Sequence, residues 1–404
     1  MIGDNLRHLR VFRAVCDGGS ATRAAESCLV SQPAVTQALG KLEAEAGMAL
    51  FFRRPQGFFP TQAGEALRAR AERALAVLDA ALEDVAPRLV LTATRPQLMA
   101  LIASVEAQNF SLAARRLGVA QPTVHRAVTQ LEREAGRALF QRSSTGILPT
   151  RSCNNLARAA RLSFAEMSQA RAELGDLAGR EVGQIVIGAM PLGRSHPLPH
   201  ALVSFRKSRP NLPVRIVEGT YDELLGQLRR GDLDFLIGAL RDPVPIEDVV
   251  QEWVFDDTLV LLCGGSHPWR HRTDLRVADL ADQHWLVPRD GTPTRSQFDA
   301  MFTTRGLHPP HSIIETGSVI LMREVLDQTD HLACISWLQA KAEIARGLVH
   351  VVPFEVPNSS RAIGLTLRRD WTPTPAQSQL LNLIRKSAQE NSSYSMNLSN
   401  LPAN

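Results

Sequence analysis

The sequence has few cysteines and none of the spacings that cysteine-based sites need. Its 404 residues include five cysteines, an odd number, and no two of them lie close together. That pattern argues against a disulfide framework or a CxxC metal knuckle and favours a reduced compartment. Long apolar runs are missing too, since no stretch approaches the roughly 18 apolar residues of a spanning helix. The first fifteen residues lack the apolar core of a signal peptide. We therefore expect a soluble protein of the cytoplasm.

The common enzyme motifs are also missing. No GxSxG, P-loop or GxGxxG match occurs in the sequence. His267 and His271 are four residues apart, but a lone pair of this kind is more typical of a turn surface than of a metal site. Cys263 lies near His267, yet a nucleophile needs a positioned base and oxyanion donors, so we interpret it as the end of a strand. The sequence predicts no enzymatic activity, no cofactor and no bound metal.

The composition is that of an ordinary globular protein. Hydrophobic residues make up 44% and charged residues 21% of the chain, and the net charge is +4. The length predicts two to four domains. Mild basicity permits nucleic-acid binding without demonstrating it.

One segment of the chain occurs twice. "SQPAVTQALGKLEAEAGMALF" begins at Ser31, and "AQPTVHRAVTQLEREAGRALF" begins at Ala120. A shift of 89 residues aligns 9–61 with 98–150 without a gap, and 21 of those 53 positions are identical. Such self-similarity indicates a duplicated unit of domain size.

Each copy predicts a helix-turn-helix followed by a hairpin. Apolar spacing predicts an amphipathic helix, a short helix with a small Ala-Ala pair, a tight turn and a second helix able to enter the major groove. "LFFRRPQGFFPTQAG" and "LFQRSSTGILPTRSC" then predict β-hairpin wings that carry arginine. The net charge is +2 over 1–64 and +5 over 95–151. The alternative is a pair of small helical units that bind protein.

The start of the second helix and the wing supply the candidate DNA contacts. Ser31 is a candidate N-cap and Pro33 suits the first turn. We expect Gln32, Thr36 and Gln37 to reach base edges, and wing arginines to reach phosphate or the minor groove. The full set is Ser31, Gln32, Pro33, Thr36, Gln37, Lys41, Arg53 and Arg54 in the first copy, and Gln121, Pro122, Thr123, His125, Arg126, Gln130 and Arg142 in the second.

The first copy resembles the winged helix-turn-helix of LysR-type transcriptional regulators. The resemblance covers "NLRHLRVFRAVCDGGSATRAAESCLVSQPAVTQALGKLEAEAGMALFFRRPQGFFPTQAGEAL". The second copy departs from the family where Ala120 replaces the capping serine and "TRSCNN" replaces "TQAGEA". The first copy departs at Ala21, where the family usually has an aromatic residue; the second keeps it as Phe110. The resemblance implies double-stranded DNA as a partner.

Alanine- and leucine-rich segments at 64–86 and 153–179 predict two long helices. In the family one such helix follows the winged helix-turn-helix, here called the reader, and pairs two subunits. The resemblance therefore implies a homodimer or homotetramer, here with pairing through either segment. At 1.5 Å per residue the first helix would span roughly 35 Å, long enough to hold two readers one groove apart unless the chain folds back. The alternative is a pair of solvated spacers.

After residue 183, strands alternate with helices, which predicts a parallel, doubly wound sheet. "DTLVLLCGGSHP" and "AIGLTLRRD" are predicted to cross to a second lobe and return. This half resembles the family's two-lobed effector domain, which is similar to a periplasmic binding protein. "IGAMPLGRSHPLP" further resembles regulators of sugar-binding-protein genes and of protocatechuate catabolism, which implies a sugar or a small aromatic or dicarboxylic acid.

In such a fold a small ligand lies between the lobes, at strand ends and helix N-termini that favour anions. Each candidate hydroxyl could instead be an ordinary helix cap, and the candidate arginine could be a surface residue. The candidate effector contacts are Leu192, Gly193, Arg194, Ser195, Ala239, Leu240, Thr292, Thr294, Thr316, Gly317 and Ser318.

The sequence thus predicts a multidomain chain. Two helical winged helix-turn-helix domains with linker helices precede a two-lobed α/β domain, and the whole is a DNA-binding regulator that senses a small molecule. The alternative function is a small-molecule binding protein or enzyme with an N-terminal interaction module. The predicted segments are reader 1 (1–63), linker 1 (64–92), reader 2 (93–151), linker 2 (152–179), an effector domain (180–390) and a disordered tail (391–404).

Overall fold

A computed structural model describes residues 2–144 and 146–392, and the side chains of these residues up to 389. The chain forms two compact units. The first holds the residues up to Ile185 together with two short later segments, and the second holds the rest. Among the described residues, no helix is both long and apolar enough to cross a membrane.

The first repeat is a three-helix unit with a hairpin. Its elements are α1 (Leu6–Gly18), α2 (Ala21–Ser27), α3 (Gln32–Ala46), β1 (Phe51–Arg54) and β2 (Gly57–Pro60). The hairpin is antiparallel and docks on the end of α1 through a Phe58 N–H to Gly19 carbonyl bond of 2.9 Å. Gly57 has φ 131°, and a Cβ there would lie 2.4 Å from the Gly19 carbonyl oxygen. Only glycine fits this approach without a shift of backbone.

The second repeat has the same elements in the same order. After α4 (Gln62–Val85) and the short α5 (Leu89–Thr92) come α6 (Arg95–Ala107), α7 (Phe110–Leu117), α8 (Gln121–Ala135), β3 (Phe140–Ser143) and β4 (Gly146–Pro149). Its hairpin docks by the equivalent bond, from the Ile147 N–H to the Gln108 carbonyl at 3.0 Å. Both predicted helix-turn-helix patterns and both predicted hairpins are therefore present.

The two predicted linker helices are α4 and α9 (Arg151–Leu177). Each begins at a threonine whose hydroxyl accepts a bond from the first turn: Thr61 from the Gly64 N–H at 3.1 Å and Thr150 from the Cys153 N–H at 3.2 Å. The second linker thus keeps its cap despite the changed sequence after it. Within the chain these two helices pack on each other, and their apolar residues share one buried core. The expected pairing between chains stays a prediction.

The C-terminal unit contains two five-stranded sheets. In chain order the elements are β5 (Ile185–Ala189), α10 (Pro191–Ser195), α11 (Leu198–Ser208), β6 (Val214–Val217), α12 (Tyr221–Arg230), β7 (Phe235–Ala239), β8 (Val249–Asp257), β9 (Leu259–Cys263), α13 (Val277–Ala281), β10 (Trp285–Val287), α14 (Pro293–Thr303), β11 (Ile313–Glu315), α15 (Val319–Gln328), β12 (Leu332–Ser336), α16 (Trp337–Ala345), β13 (His350–Val351), β14 (Arg361–Arg368) and α17 (Pro375–Ser392).

The strand order is β6-β5-β7-β14-β8 in the first lobe and β11-β10-β12-β9-β13 in the second. β5 pairs with β7, and β10 with β11 and β12, in parallel, as predicted. β14, β9 and β13 run antiparallel to their neighbours, so both sheets are mixed. The predicted parallel pairing therefore holds for part of each sheet, and the segments that link the lobes add antiparallel strands to both.

Some elements differ from the sequence expectation. The helix α10 occupies a segment that we expected to be a loop. The strand β8 begins at Val249, before the predicted crossing segment, and α13 was not predicted. The predicted tail from residue 391 lies outside the described residues except for its first two, which end α17.

Candidate nucleic-acid interface and effector site

The exposed face of α3 carries the first set of predicted DNA contacts. Ser31 caps the helix, and its Oγ accepts from the Ala34 N–H at 3.4 Å. Val35, Leu39 and Leu42 are buried against the core. The opposite face exposes four polar side chains and Pro33, and the polar ones are Gln32, Thr36, Gln37 and Lys41. A polar helix face next to a hairpin can meet a DNA groove.

The face of α8 repeats this arrangement with different side chains. Val124, Val128 and Leu131 are buried, and Ala120 supplies no side-chain cap. Gln130 departs from its counterpart Lys41, because it is half-buried and donates to Glu134 along the helix at 2.6 Å. The exposed side chains are Gln121, Pro122, Thr123, His125 and Arg126.

Phe110 shows where the second copy uses its aromatic residue. Its ring lies edge-on to His125 at 5.3 Å and to Phe140 at 5.9 Å between centroids. The ring therefore supports an exposed residue of α8 from beneath. Ala21, its counterpart, cannot provide that support in the first copy.

A glutamate of each repeated "LExEAG" segment holds the hairpin, a role that the sequence did not reveal. Glu43 accepts from the backbone N–H groups of Leu50 and Phe51 at 3.0 and 3.4 Å. Glu132 accepts in the same way from Leu139 and Phe140 at 2.8 and 3.2 Å. Charge-assisted bonds of this kind fix the hairpin to the helix that presents the polar face. The shared glutamate was the available signal.

The hairpin arginines differ between the copies. Arg53 is half-exposed and forms an ion pair with Glu43 at 2.8 Å. Arg54 is exposed and lies beside the rings of Phe52 and Phe59. Arg142 is exposed, and among the described residues no carboxylate pairs with it. Arg142 of the second hairpin is therefore more available to a phosphate than Arg53 of the first.

In the first lobe, the predicted effector loop after β5 is folded into α10. Leu192 and Gly193 are buried, and a Cβ on Gly193 would lie 2.8 Å from Ile237. Arg194 forms an ion pair with Glu218, and the Ser195 hydroxyl donates to the Pro191 carbonyl at 3.4 Å. The Arg194 head group and the Ser195 hydroxyl thus have local partners, whereas the buried Nε of Arg194 has none among the described residues.

In the second lobe, three of the predicted hydroxyls have ordinary structural partners. Thr292 caps α14, accepting from the Arg295 N–H at 3.3 Å, and Ser318 caps α15, accepting from the Leu321 N–H at 3.3 Å. Thr316 is buried and accepts from the Ser318 N–H at 3.1 Å, beside the exposed Gly317. The capping alternative therefore describes two of these hydroxyls.

Thr294 is part of a buried hydrogen-bonded cluster beside the strands that link the lobes. It is buried and accepts from Arg361, whose guanidinium also binds the buried Asp257 at 2.9 Å. Ser336 donates to the same carboxylate at 2.9 Å. Burial raises the pKa of Asp257 despite the arginine. This buried cluster ties residues of both lobes together.

Sequence reasoning missed a second cluster, at the end of β7 just after Ala239 and Leu240. The guanidinium of Arg241 lies over the Tyr221 ring at 4.4 Å, and Gln251 donates to the Tyr221 hydroxyl at 3.2 Å. Nη1 of Arg241 is buried and has no hydrogen-bond partner among the described residues. Burial lowers the pKa of this arginine. An arginine directly after a predicted strand was the available signal.

The surroundings of His267 and Cys263 indicate structural roles for both side chains. Nδ1 of His267 accepts from the Trp269 N–H at 3.0 Å, and Nε2 lies 3.3 Å from the Asp330 carbonyl oxygen. Burial raises the pKa of Cys263 to about 12, which keeps the thiol protonated. Within the described part of the chain, no three His, Cys, Asp or Glu side chains are placed to hold a metal ion.

Two family models together match most of the chain. The LysR substrate binding domain matches residues 178–389. The bacterial regulatory helix-turn-helix of the lysR family matches twice, at residues 6–65 and 96–154. Both matches to the helix-turn-helix fall on the repeats.

Curated relatives are transcriptional regulators. The HTH-type regulator GalR of Pseudomonas putida is 34% identical over 95% of this chain and 97% of its own length. GbpR of Azospirillum brasilense is 26% identical over 71% of this chain and 84% of its own. PcaQ of Agrobacterium fabrum is 29% identical over 69% of this chain and 89% of its own length. The match to GalR is long enough to include both repeats.

Solved structures share the fold. A full-length OxyR variant from Pseudomonas aeruginosa has a TM-score of 0.52 at 23% identity, covering 73% of this chain and 94% of that one. CbnR in complex with its target DNA has a TM-score of 0.50 at 22% identity, covering 72% and 99%. From these matches, the chain belongs to the LysR family of transcriptional regulators.

Proposed function

We propose that both repeats of this regulator are winged helix-turn-helix readers of double-stranded DNA. The observation that carries the proposal is the recurrence, on α3 and α8, of an exposed polar face fixed to an arginine-bearing hairpin by an equivalent glutamate. The CbnR complex with its target DNA supports a DNA-reading role for such a unit. The readers are assigned to 1–63 and 93–151 and the linkers to 64–92 and 152–179.

Side chains at the start of each recognition helix read the bases in this proposal. Gln32, Thr36 and Gln37 face the groove in the first reader, and their counterparts Gln121, His125 and Arg126 do so in the second. Ser31, Pro33, Pro122 and Thr123 fix the approach of each helix, and Lys41 and Gln130 lie further along. Arg53, Arg54 and Arg142 bind phosphate or the minor groove.

The segment 180–390 is proposed to bind a small anionic effector between lobes similar to those of a periplasmic binding protein. Arg241 supports an anion, because its buried Nη1 has an unused donor at the end of a strand. Among the candidates, a small aromatic or dicarboxylic acid therefore fits better than a sugar. The remaining predicted contacts, from Leu192 to Ser318, line or shape the same lobes. The protein is proposed to act in the cytoplasm as a homodimer or homotetramer.

Paired substitutions test the reader assignment. In the full chain, Gln121→Ala should cost roughly 1–3 kcal/mol on the specific site and relax base preference at one position. Arg142→Ala should weaken all duplexes alike and reduce the salt slope by about one ion. Titrations of the protein's own upstream DNA and a scrambled duplex at several salt concentrations measure both effects. If Gln32→Ala and Gln121→Ala both leave specific affinity unchanged, the assignment is wrong.

A further inference from the structure

The helices α4 and α9 pack side by side in opposite directions. Arg70, near the start of α4, binds Glu173, near the end of α9, at 3.0 Å. One turn later, Arg73 binds Glu166 at 3.1 Å. The facing residues include Leu67, Ala71, Ala74, Leu75 and Leu78 on α4 and Leu156, Ala160, Phe164 and Met167 on α9, all buried.

The repeat gives this pair an approximate twofold symmetry. Residues 62–85 correspond to 151–174 at the same offset of 89. Arg70 binds Gln169, and in that register Leu75 stands opposite its own counterpart, Phe164. Two equivalent helices that cross antiparallel at equivalent residues are related by a twofold axis. A chain with only one such helix would need a second chain to form this antiparallel pair. This chain contains both helices of the pair itself.

The symmetry is broken by one buried charged cluster. The Arg70 side chain is only 2% exposed, and Nη1 binds Glu166 at 3.1 Å and Gln169 at 2.6 Å. Its symmetry-related position in α9 is Ala159. The counterparts of Glu166, Gln169 and Glu173 in α4 are Val77, Ala80 and Asp84. The cluster therefore exists at one end of the pair, with mainly small apolar residues at the other.

This asymmetry disfavours pairing of like helices from two chains. If two copies of α4 met in the same register, each Arg70 would lose Glu166 and Gln169, face Val77 and Ala80, and keep one carboxylate, Asp84, in place of Glu173. If two copies of α9 met, Glu166 and Glu173 would face Ala159 without a cation. A buried charge that loses its partners is costly, and such charges are known to set the partner and register of paired helices. The cluster therefore favours pairing of α4 with α9 over pairing of two copies of either helix.

We propose that the α4–α9 pair makes each chain a self-paired reader, and that its DNA partner is a two-part site whose halves differ in sequence. The proposal rests on the proposed function of the two repeats as readers. A reader built from two identical chains presents the same side chains twice and fits a symmetric site. This chain presents Thr36, Gln37 and Lys41 on one recognition helix, and His125, Arg126 and Gln130 at the equivalent positions of the other.

The first experiment uses the unaltered chain and three duplexes. One carries the natural site identified by footprinting, and the other two are palindromes in which one half is replaced by an inverted copy of the other. The natural site should bind about ten-fold or more tightly than either palindrome, since each mismatched half loses base contacts. If one palindrome binds as tightly as the natural site, the proposal is overturned. If no duplex binds specifically, the reader function itself fails instead.

The second experiment asks whether the pairing lies within one chain. Arg70→Glu alone, and Glu166→Gln combined with Glu173→Arg, should each weaken binding to the natural duplex. All three substitutions in one chain should restore it to within about three-fold, because the carboxylate at position 70 then meets a cation at 173 and no carboxylate at 166. An equimolar mixture of the first two variants, which could form the complementary pair only between chains, should not restore binding. Circular dichroism reports whether each variant keeps its helices.

Restoration by the mixture would show that the helices pair between chains, which contradicts the proposal. Failure of the triple variant to restore binding would show that the Arg70 cluster does not choose the partner. If a single variant does not fold, the comparison of duplexes with the unaltered chain still decides whether the two halves of the site differ.

Discussion

At the scale of single residues, His196 is a buried imidazole in the C-terminal unit. It is 5% exposed, lies edge-on to Phe255 at 5.6 Å, and its Nε2 has no hydrogen-bond partner among the described residues. Burial lowers its pKa to about 4, and the nearby His200 and Lys341 contribute in the same direction. The native state therefore holds this ring neutral where an unfolded histidine, with a pKa near ~6.5, binds a proton.

The contribution of His196 to stability should be complete above the unfolded pKa and should be lost as pH falls towards the folded one. Between pH 7.5 and 5, His196 should lower the free energy of unfolding by about 2 kcal/mol. His196→Phe should remove that part of the pH dependence, while the exposed control His200→Asn should keep most of it, because burial is the larger cause of the lowered pKa. All five tryptophans follow residue 185, so tryptophan fluorescence during urea unfolding reports on this unit. Equal pH slopes in the wild type and His196→Phe would show that the ring is not held neutral.

Hydroxyl positions in the effector domain show how far single residues can be predicted. Thr292 and Ser318 each precede a helical segment, and both are caps, so their local sequence was sufficient. Arg241 was not predicted, although it stands just after a predicted strand. Its burial depends on Tyr221 and Gln251, which lie on a different helix and strand. Local pattern finds caps, but it cannot find contacts that only the tertiary fold creates.

At the scale of elements, the two recognition helices start differently. Ser31 caps α3 with its side chain, whereas Ala120 stands at the equivalent place of α8 with an extended backbone and no side-chain bond. Since serine fits that backbone in the first copy, Ala120→Ser should stabilise α8 by about 0.5–2 kcal/mol. Hydrogen exchange of the peptide 121–135 should slow accordingly.

Ser31→Ala is the matched control for this cap. It should speed exchange in the peptide 32–46 by a similar factor and leave 121–135 unaffected. If Ala120→Ser leaves exchange in α8 unchanged while Ser31→Ala speeds it in α3, then α8 gains its start from packing and not from a cap.

The partner of an amphipathic helix is harder to predict than the helix. Alanine, leucine and spaced charges predicted both α4 and α9, but an apolar stripe does not specify what covers it. The answer depends on Arg70 and Glu173, which are 103 residues apart in the chain. The short α10 was missed for a simpler reason, since five residues are too few to show a helical period.

At the scale of the whole molecule, the regulator must connect a DNA-reading unit to an effector-binding unit. If an effector changes DNA affinity, the specific DNA must change effector affinity by the same factor, because the two equilibria are linked. This reciprocity holds whatever the conformational change is. An effector can therefore be detected by its change in DNA affinity, and specific DNA can be detected by its change in effector affinity.

Arg241 and Arg194 are competing candidates for the anion contact in this coupling. A panel of small aromatic and dicarboxylic acids, each beside its uncharged amide, can be screened for a shift in affinity for the natural duplex. We expect at least one acid to shift it by about five-fold or more, the usual lower range of such coupling. The amide should not shift it, and saturating duplex should change the acid's affinity by the same factor.

Substitution then separates the two arginines. Arg241→Gln should abolish the shift, because the guanidinium donor at the end of β7 is lost. Arg194→Gln should retain it, because the head group of Arg194 is already paired with Glu218 through Nη1 and only its Nε lacks a partner. The measurement is a duplex titration with and without the acid, repeated for each variant. If Arg194→Gln loses the response and Arg241→Gln keeps it, the contact predicted from the sequence is the correct one, and the buried donor of Arg241 has a structural role.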